Sequence, residues 1–277
     1  MKIGLFGINL GPLGEVDAMV QVAQAAEAAG LESVWTGEHV VLPDPQIPPS
    51  PSGPQVPFLD PAIALATIAA ATERIRLGTG IIILPQRNPL VLAKELASLD
   101  VVSKGRLIFG LGAGYLEPEF RALGAPFEER GAVTDEAIDV LKALWTMESP
   151  EYNGTHFRFS GIDAQPRPVQ KPHPPIVIGG MSKPAARRAA LRGNGWYGFM
   201  TDLEATQRSI DWIGEYATER DSALGEVEIS VTPPPPVTAE TVAQYAEIGV
   251  SRIVAVARAR SVDEMLDFVD ELGALTS

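Results

Sequence analysis

Several residue types that carry chemistry in other proteins are scarce or missing in this sequence. The 277 residues include no cysteine, which excludes disulfides, thiolate metal sites and a cysteine nucleophile. Lys and Arg number 22 against 35 Asp and Glu, so the formal net charge is −13. Such an acidic protein repels phosphates, and neither nucleic acid nor an acidic membrane is expected as a partner. An anionic ligand therefore needs a local basic or amide-lined pocket.

Long apolar runs and several catalytic motifs are also missing. No apolar run approaches the ~18 residues of a membrane span. The chain has no His-x-x-x-His, no HExxH and no acidic loop with ligand spacing, so no metal site is predicted. It also lacks the G-x-S-x-G elbow of a serine hydrolase. The opening MKIGLFGINL predicts a buried strand rather than a leader. We therefore expect a cytoplasmic protein whose partner is a small molecule.

Short apolar runs alternate with segments of helical periodicity from end to end. Strands are predicted at residues 3–8, 33–36, 76–84, 106–111, 175–178, 196–200, 228–231 and 252–257. Helices are predicted at residues 15–29, 60–72, 89–103, 131–147, 183–192, 203–220, 238–248 and 261–273. Near-continuous apolar strands are buried on both faces, as in a parallel sheet. Eight strand–helix units favour one α/β domain over residues 1–277, a (β/α)8 TIM barrel rather than an open doubly wound sheet.

Two long connections interrupt this rhythm, at residues 43–57 and 148–174. Residues 43–57, here called the proline-rich loop, contain seven prolines and are neither helix nor central strand. They follow the second strand, at the C-terminal rim of a barrel. The loop is either a floppy surface segment or a semi-rigid lid over the site.

Functional residues of such barrels lie just after the strands. The second strand is followed by Glu38 and His39, a candidate pair for general-acid or orienting chemistry. The alternative for His39 is a structural, hydrogen-bonded histidine at a turn. The third strand carries glycines at 78 and 80, just before Ile81 and Ile82. Their missing side chains suit either a flat ring packed on the backbone or a tight barrel bend.

Glycines also follow the fourth and fifth strands. After the fourth strand, Gly112 and Gly114 precede Tyr115, which breaks the dinucleotide fingerprint; room for a cofactor's tail is the favoured interpretation. The fifth strand ends in Gly179-Gly180-Met181-Ser182 before a helix, which is the best phosphate candidate because backbone amides and the helix N-terminus attract anions. The alternative is an ordinary turn before a solvated basic helix.

Five stretches, taken in order, resemble the luciferase-like monooxygenase superfamily, specifically its compact branch of coenzyme F420-dependent oxidoreductases. They are SVWTGEHV, RIRLGTGIIILPQRNPLVLAKELASLDVVSKGRLIFGLGAGY, LGAPFEERG, PRPVQKPHPPIVIGG and RRAALRGNGWYG. The resemblance implies a flavin or deazaflavin ring in the barrel mouth. It also implies a non-proline cis peptide behind the ring at Gly80–Ile81, and a cofactor phosphate on Gly179 and Gly180. Glu38 and His39 match positions that lie near the ring in deazaflavin enzymes.

The resemblance leaves the reaction open between three alternatives. The first is hydride transfer with coenzyme F420, and the second is a two-component monooxygenase with FMN and dioxygen. The third is a non-catalytic flavin-binding barrel. Some deazaflavin dehydrogenases have a catalytic Glu where this chain has Tyr115, which would instead stack on substrate or donate a proton. The anionic tail of F420 requires cations along the rim, and the sequence offers few of them there: Arg87, Lys183 and Arg187. A homodimer also stays open, because relatives are often dimers.

Overall fold

The predicted strand–helix units close into a parallel barrel. The computed structural model describes residues 1–257 and 259–276. In the described residues the strands are β1 (Lys2–Phe6), β2 (Ser33–Thr36), β3 (Arg76–Thr79), β4 (Ile82–Ile83), β5 (Leu107–Gly112), β6 (Tyr152–Asn153), β7 (Arg158–Phe159), β8 (Ile176–Gly179), β9 (Gly195–Phe199), β10 (Glu228–Thr232) and β11 (Arg252–Val256). Strands β6 and β7 form a separate antiparallel pair. The (β/α)8 prediction is confirmed.

The barrel closes between β3 and β5. The parallel sheet runs in the order β3-β2-β1-β11-β10-β9-β8-β5-β4, and β3 also pairs with β5, where Leu77 lies opposite Leu107. The prediction of one continuous strand at 76–84 is wrong, because β3 and β4 are separated at Gly80–Ile81. The peptide between these two residues is cis, at the position that the resemblance implied.

Helices pack around the outside of the barrel. In the part of the chain that the structure describes, they are α1 (Val16–Ala28), α2 (Pro61–Ala71), α3 (Pro89–Val102), α4 (Glu117–Leu123), α5 (Arg130–Thr146), α6 (Lys183–Arg192), α7 (Leu203–Gly214), α8 (Ala239–Glu247) and α9 (Val262–Gly273). Asp60 caps α2 by accepting hydrogen bonds from the Ala62 and Ile63 amides. Helix α7 ends at Gly214, before the predicted 220. Helix α4 was not predicted. No helix among the described residues is long and apolar enough to cross a membrane.

Apolar side chains fill two regions, one between the strands and helices and one inside the barrel. The second is smaller and includes Phe6, Trp35, Ile108, Tyr197 and Val254. Trp35 is fully buried, and its indole nitrogen donates to Ser33 Oγ at 2.8 Å. Because this interior is packed solid, a ligand has no room inside the barrel, and functional sites of such barrels lie beyond the C-terminal ends of the strands.

Candidate active site

A cavity of about 650 Å³ opens at the C-terminal ends of the barrel strands, and we call it the main cavity. Its walls come from the C-terminal ends of β1, β2, β3, β5, β8 and β9, from the segments that follow them, and from the proline-rich loop. All but one of the predicted site residues line it: Glu38, His39, Gly80, Ile81, Gly112, Gly114, Tyr115, Gly179, Gly180, Met181 and Ser182. The exception is Ile82, whose side chain is buried in the core between the strands and helices. Ile82 therefore does not face a ligand.

The glycines near the cavity floor make room for the protein's own side chains. A Cβ on Gly78 would lie 2.6 Å from Cε2 of Trp35, so the flat ring against that backbone is this indole. A Cβ on Gly179 would lie 2.9 Å from Cγ2 of Ile81, and one on Gly112 would overlap Cδ1 of the same side chain. The interpretation that Gly78 receives a ligand ring is therefore wrong. Ile81 occupies the space left by two glycines on neighbouring strands.

His39 lies in the cavity wall and is held by a carboxylate. Its Nδ1 is 3.1 Å from Oε2 of Glu119, a residue of α4. A carboxylate accepts hydrogen bonds only, so Nδ1 carries the proton in this contact. Within the described residues no group hydrogen-bonds Nε2 of His39. The second ring nitrogen is thus available to a ligand.

Glu119 is fully buried and also fixes the backbone after β2. Its Oε1 accepts hydrogen bonds from the amides of Val40, at 2.7 Å, and Val41, at 3.3 Å. Burial raises the pKa of Glu119, but the hydrogen bonds from His39 and the Val40 amide outweigh it and hold the pKa below its ordinary value. Glu119 is therefore ionised at neutral pH, and it orients the imidazole.

Glu38, the neighbour of His39, is engaged elsewhere. Its carboxylate accepts from the Ile83 amide and from Nε of Arg87 at 3.0 Å, and Nη2 of Arg87 is also bound to it. Burial raises the pKa of Glu38, yet three N–H groups point at its oxygens, so at neutral pH the pair is ionised. Burial alone would lower the pKa of Arg87, but Glu38 and Asp60 outweigh burial and hold this pKa above its ordinary value. Glu38 thus fixes the segment from Ile83 to Arg87, at the end of β4 and beyond it.

Tyr115 stands beside His39 at the mouth of the cavity. The two rings meet edge-on, with centroids 6.1 Å apart and an interplanar angle of 84°. The side of Tyr115 toward solvent is open, and the residue is half exposed. Burial of the remainder, and then the Glu119 carboxylate, raise the pKa of the phenol. Tyr115 keeps its proton at neutral pH and can donate a hydrogen bond.

The opposite end of the cavity is suited to an anion. Ser182 caps α6 by accepting from the Ala185 amide, and the described residues offer no acceptor to the amides of Met181 and Ser182. The buried guanidinium of Arg188 lines the same end. Its Nε donates to Asp135 at 2.7 Å and its Nη2 to the Gly131 carbonyl. Free amides at a helix N-terminus beside a fixed cation form a phosphate-binding arrangement.

The predicted rim cations are mostly paired with carboxylates. Arg87 is bound to Glu38 and Asp60, and Nζ of Lys183 lies 2.6 Å from Oε2 of Glu215. Arg187 is exposed, with its guanidinium 5.9 Å from the ring centroid of Tyr216. Two of the three predicted rim cations are therefore neutralised by carboxylates.

The proline-rich loop forms part of the cavity wall. Pro51, Ser52 and Val56 line the cavity, as does Phe58 just beyond the loop. The buried side chain of Asn9 ties the end of this segment to the barrel by donating to the carbonyls of Gly37 and Leu59 and accepting from the Gly37 amide. Of the two interpretations left open by the sequence, the loop over the site fits this placement.

Sequence reasoning missed Glu119 as a site residue. The helix that carries Glu119, α4, was not predicted. The spacing of Leu116, Phe120 and Leu123, followed by a glycine at 124, is a helical signal that would have revealed α4. No local pattern pairs residue 39 with residue 119, because barrel closure brings them together.

Comparisons with known proteins agree on one family. The sequence profile of the luciferase-like monooxygenase family matches residues 5–264. An uncharacterized protein of Mycobacterium tuberculosis is 29% identical over 263 residues, 91% of each chain. The oxygenase component of a flavin-dependent trigonelline monooxygenase of Acinetobacter baylyi is 34% identical over 164 residues, 58% of this chain and 42% of that protein. The solved structure of an F420-dependent secondary alcohol dehydrogenase with an F420-acetone adduct has a TM-score of 0.80 at 17% identity, covering 99% of this chain and 98% of that one.

Proposed function

Because the chain belongs to the luciferase-like monooxygenase family, we propose that it is an oxidoreductase that uses coenzyme F420 to exchange a hydride with a small organic substrate. The observation that carries this proposal is the pairing of His39 with Glu119 in the wall of a cavity whose opposite end suits a phosphate. The deazaflavin, when bound, supplies or accepts the hydride at its C5.

The residues present fit such a cofactor. The free amides of Met181 and Ser182, the N-terminus of α6 and the guanidinium of Arg188 would hold the phosphate. Ile81, in the wall between the two ends, would support the ring. Gly180 would let the backbone approach the phosphate, and its φ of 116° favours glycine.

His39 would move the proton that accompanies the hydride. When a carbonyl is reduced, its carbon gains a hydride and its oxygen gains a proton. The doubly protonated ring of His39 would donate that proton from Nε2 and keep the one on Nδ1, and Glu119 would stabilise the imidazolium. In the reverse direction Nε2 would accept it. Tyr115 would donate a hydrogen bond to the same oxygen. Glu38, which is bound to Arg87, would not take part directly.

An FMN-dependent monooxygenase is the second candidate, and one observation favours it. Arg87 and Lys183 are paired with carboxylates, which leaves few cations for the anionic tail of F420, whereas FMN has no such tail. The name of the trigonelline monooxygenase relative also indicates a flavin. The same cavity end and the same histidine would serve either cofactor.

Parallel titration of the purified protein with F420 and with FMN tests the proposal. We expect F420 to bind at least ~10-fold more tightly than FMN, a difference of about 1.4 kcal/mol. Tighter FMN binding would replace the proposal with the second candidate, and no binding of either would support a non-catalytic barrel.

A pair of arginine variants tests the phosphate position. Arg188→Gln should weaken binding of the preferred cofactor by roughly 10-fold, through loss of one charge-assisted contact. Arg192→Gln is the matched control, because Arg192 lies four residues further along α6, pairs with Asp139 and is not part of the cavity wall. Equal effects of the two substitutions would show that the phosphate is wrongly placed.

A further inference from the structure

One half of the main cavity has no charge available to a ligand. Among the described residues that line the cavity, the Asp, Glu, Lys and Arg side chains are Glu38 and Arg188. The side chain of Glu38 is 2% exposed and is bound to Arg87. Arg188 pairs with Asp135 at the opposite, anion-binding end. A charged group placed near β1 and β2 would therefore meet no counter-charge apart from His39.

The walls of this half are apolar and partly exposed. The rings of Phe6 and Phe199 are in contact, with centroids 4.8 Å apart, and Leu10 and Phe58 complete the same wall. Phe199 is 44% exposed and Val56 is 37% exposed. Large apolar side chains that face an open concave space indicate an apolar ligand there.

Apart from Ser52 on the proline-rich loop, the hydrogen-bonding side chains of this surface lie at one edge. The imidazole of His39 and the phenol of Tyr115 stand side by side. The phenol can donate, and Nε2 of His39 donates when the ring carries both protons. A molecule seated on the apolar wall would therefore direct one acceptor atom toward this edge. An ionic group elsewhere on the molecule would be desolvated without a partner, which is costly.

We propose that the substrate is a neutral, predominantly apolar molecule with a single hydrogen-bond acceptor, such as a ketone carbonyl, facing His39 and Tyr115. This inference rests on the proposed function, because the anion-binding end is assigned to the cofactor. It goes further by excluding carboxylates, phosphates and ammonium compounds as substrates.

Three probes of the same size and different charge test the inference. The protein is first saturated with whichever cofactor binds, and acetophenone, benzoate and benzylamine are then titrated and followed by ligand-observed NMR. We expect acetophenone to bind at least ~10-fold more tightly than either ion, a difference of about 1.4 kcal/mol. Equal binding, tighter binding of either ion or no binding of acetophenone would overturn the inference.

A lysine substitution in the wall should reverse the preference. Val56→Lys places a cation in the apolar half, and we expect it to improve benzoate binding and weaken acetophenone binding, each by several-fold. Val102→Lys is the matched control, because Val102 is 56% exposed at the end of α3, outside the cavity wall. Unchanged benzoate binding in Val56→Lys would also overturn the inference. Failure of cofactor binding would be seen in the first step and bears on the proposed function instead.

Discussion

Replacing Glu119 by glutamine should change which nitrogen of His39 carries the proton. In the native protein the carboxylate accepts from Nδ1 at 3.1 Å and from the Val40 amide at 2.7 Å. In Glu119→Gln, the amide oxygen still serves the backbone, but the amide nitrogen faces Nδ1 and can only donate to it. Nδ1 then becomes an acceptor, and the proton moves to Nε2. The geometry of the site is kept while its proton arrangement is inverted.

The same substitution should lower stability by a moderate amount. Two to three hydrogen bonds change from charge-assisted to neutral, at about 1 kcal/mol each, so the free energy of unfolding should fall by about 2–3 kcal/mol. For a protein of this size that corresponds to a decrease in Tm of roughly 4–12 °C. The pKa of Glu119 is lowered from 4.5 by folding, so its contribution is present at neutral pH and lost as pH falls below 4.5. The difference in the free energy of unfolding between the native protein and Glu119→Gln should therefore narrow as the pH falls below 4.5.

Histidine-selective ¹⁵N NMR is the assay, and the chain's three histidines make the spectrum simple to assign. We expect an Nδ1–H form of His39 in the native protein and an Nε2–H form in Glu119→Gln. Glu117→Gln is the control, because that carboxylate is exposed and pairs with Arg121 on the same helix. An unchanged tautomer in Glu119→Gln would refute the assignment of Glu119 as the residue that positions His39.

Two further predictions concern stability and use thermal unfolding. Arg106 is buried, and its guanidinium donates to Ser103, Ala69, Thr72 and Ile75. Arg106→Met should lower the free energy of unfolding by about 3–5 kcal/mol, whereas Arg121→Met, at an exposed position, should change it by no more than about 0.5 kcal/mol. A similar Tm for the two variants would contradict the role of Arg106. Gly78→Ala should cost about 1–3 kcal/mol because its Cβ overlaps Trp35. Gly214→Ala is the control, because a Cβ added there would meet no neighbouring atom within 4 Å, and this substitution should be neutral or slightly stabilising. Equal effects of the two substitutions would mean that Trp35 does not exclude a side chain at position 78.

The sequence predicted the strand order and the rim position of the candidate site, but not the partners within it. Apolar runs and glycine stops locate strands because burial and chain reversal are local properties. His39 and Glu38 could be placed at the rim because they directly follow a strand. Their partners could not, because Glu119 and Arg87 lie 80 and 49 positions away, and barrel closure determines which loops meet.

The glycines illustrate the same limit. A missing side chain in the sequence says that something else occupies the space, without saying what. At position 78 the occupant is Trp35, and at positions 112 and 179 it is Ile81. A ligand and a neighbouring side chain leave the same trace in a sequence, so only the three-dimensional arrangement separates them.

The shared space around Ile81 makes three positions change together. One side chain, that of Ile81, fills the gaps at both Gly112 and Gly179. Alanine at either glycine therefore favours a smaller residue at 81. Conversely, a smaller residue at 81 leaves a void that a larger residue at 112 or 179 can fill. Effects of substitutions at these positions should therefore be non-additive. A redesign of the cavity floor should therefore vary positions 81, 112 and 179 together. If the positions are changed one at a time, the single substitutions that come first would destabilise the protein.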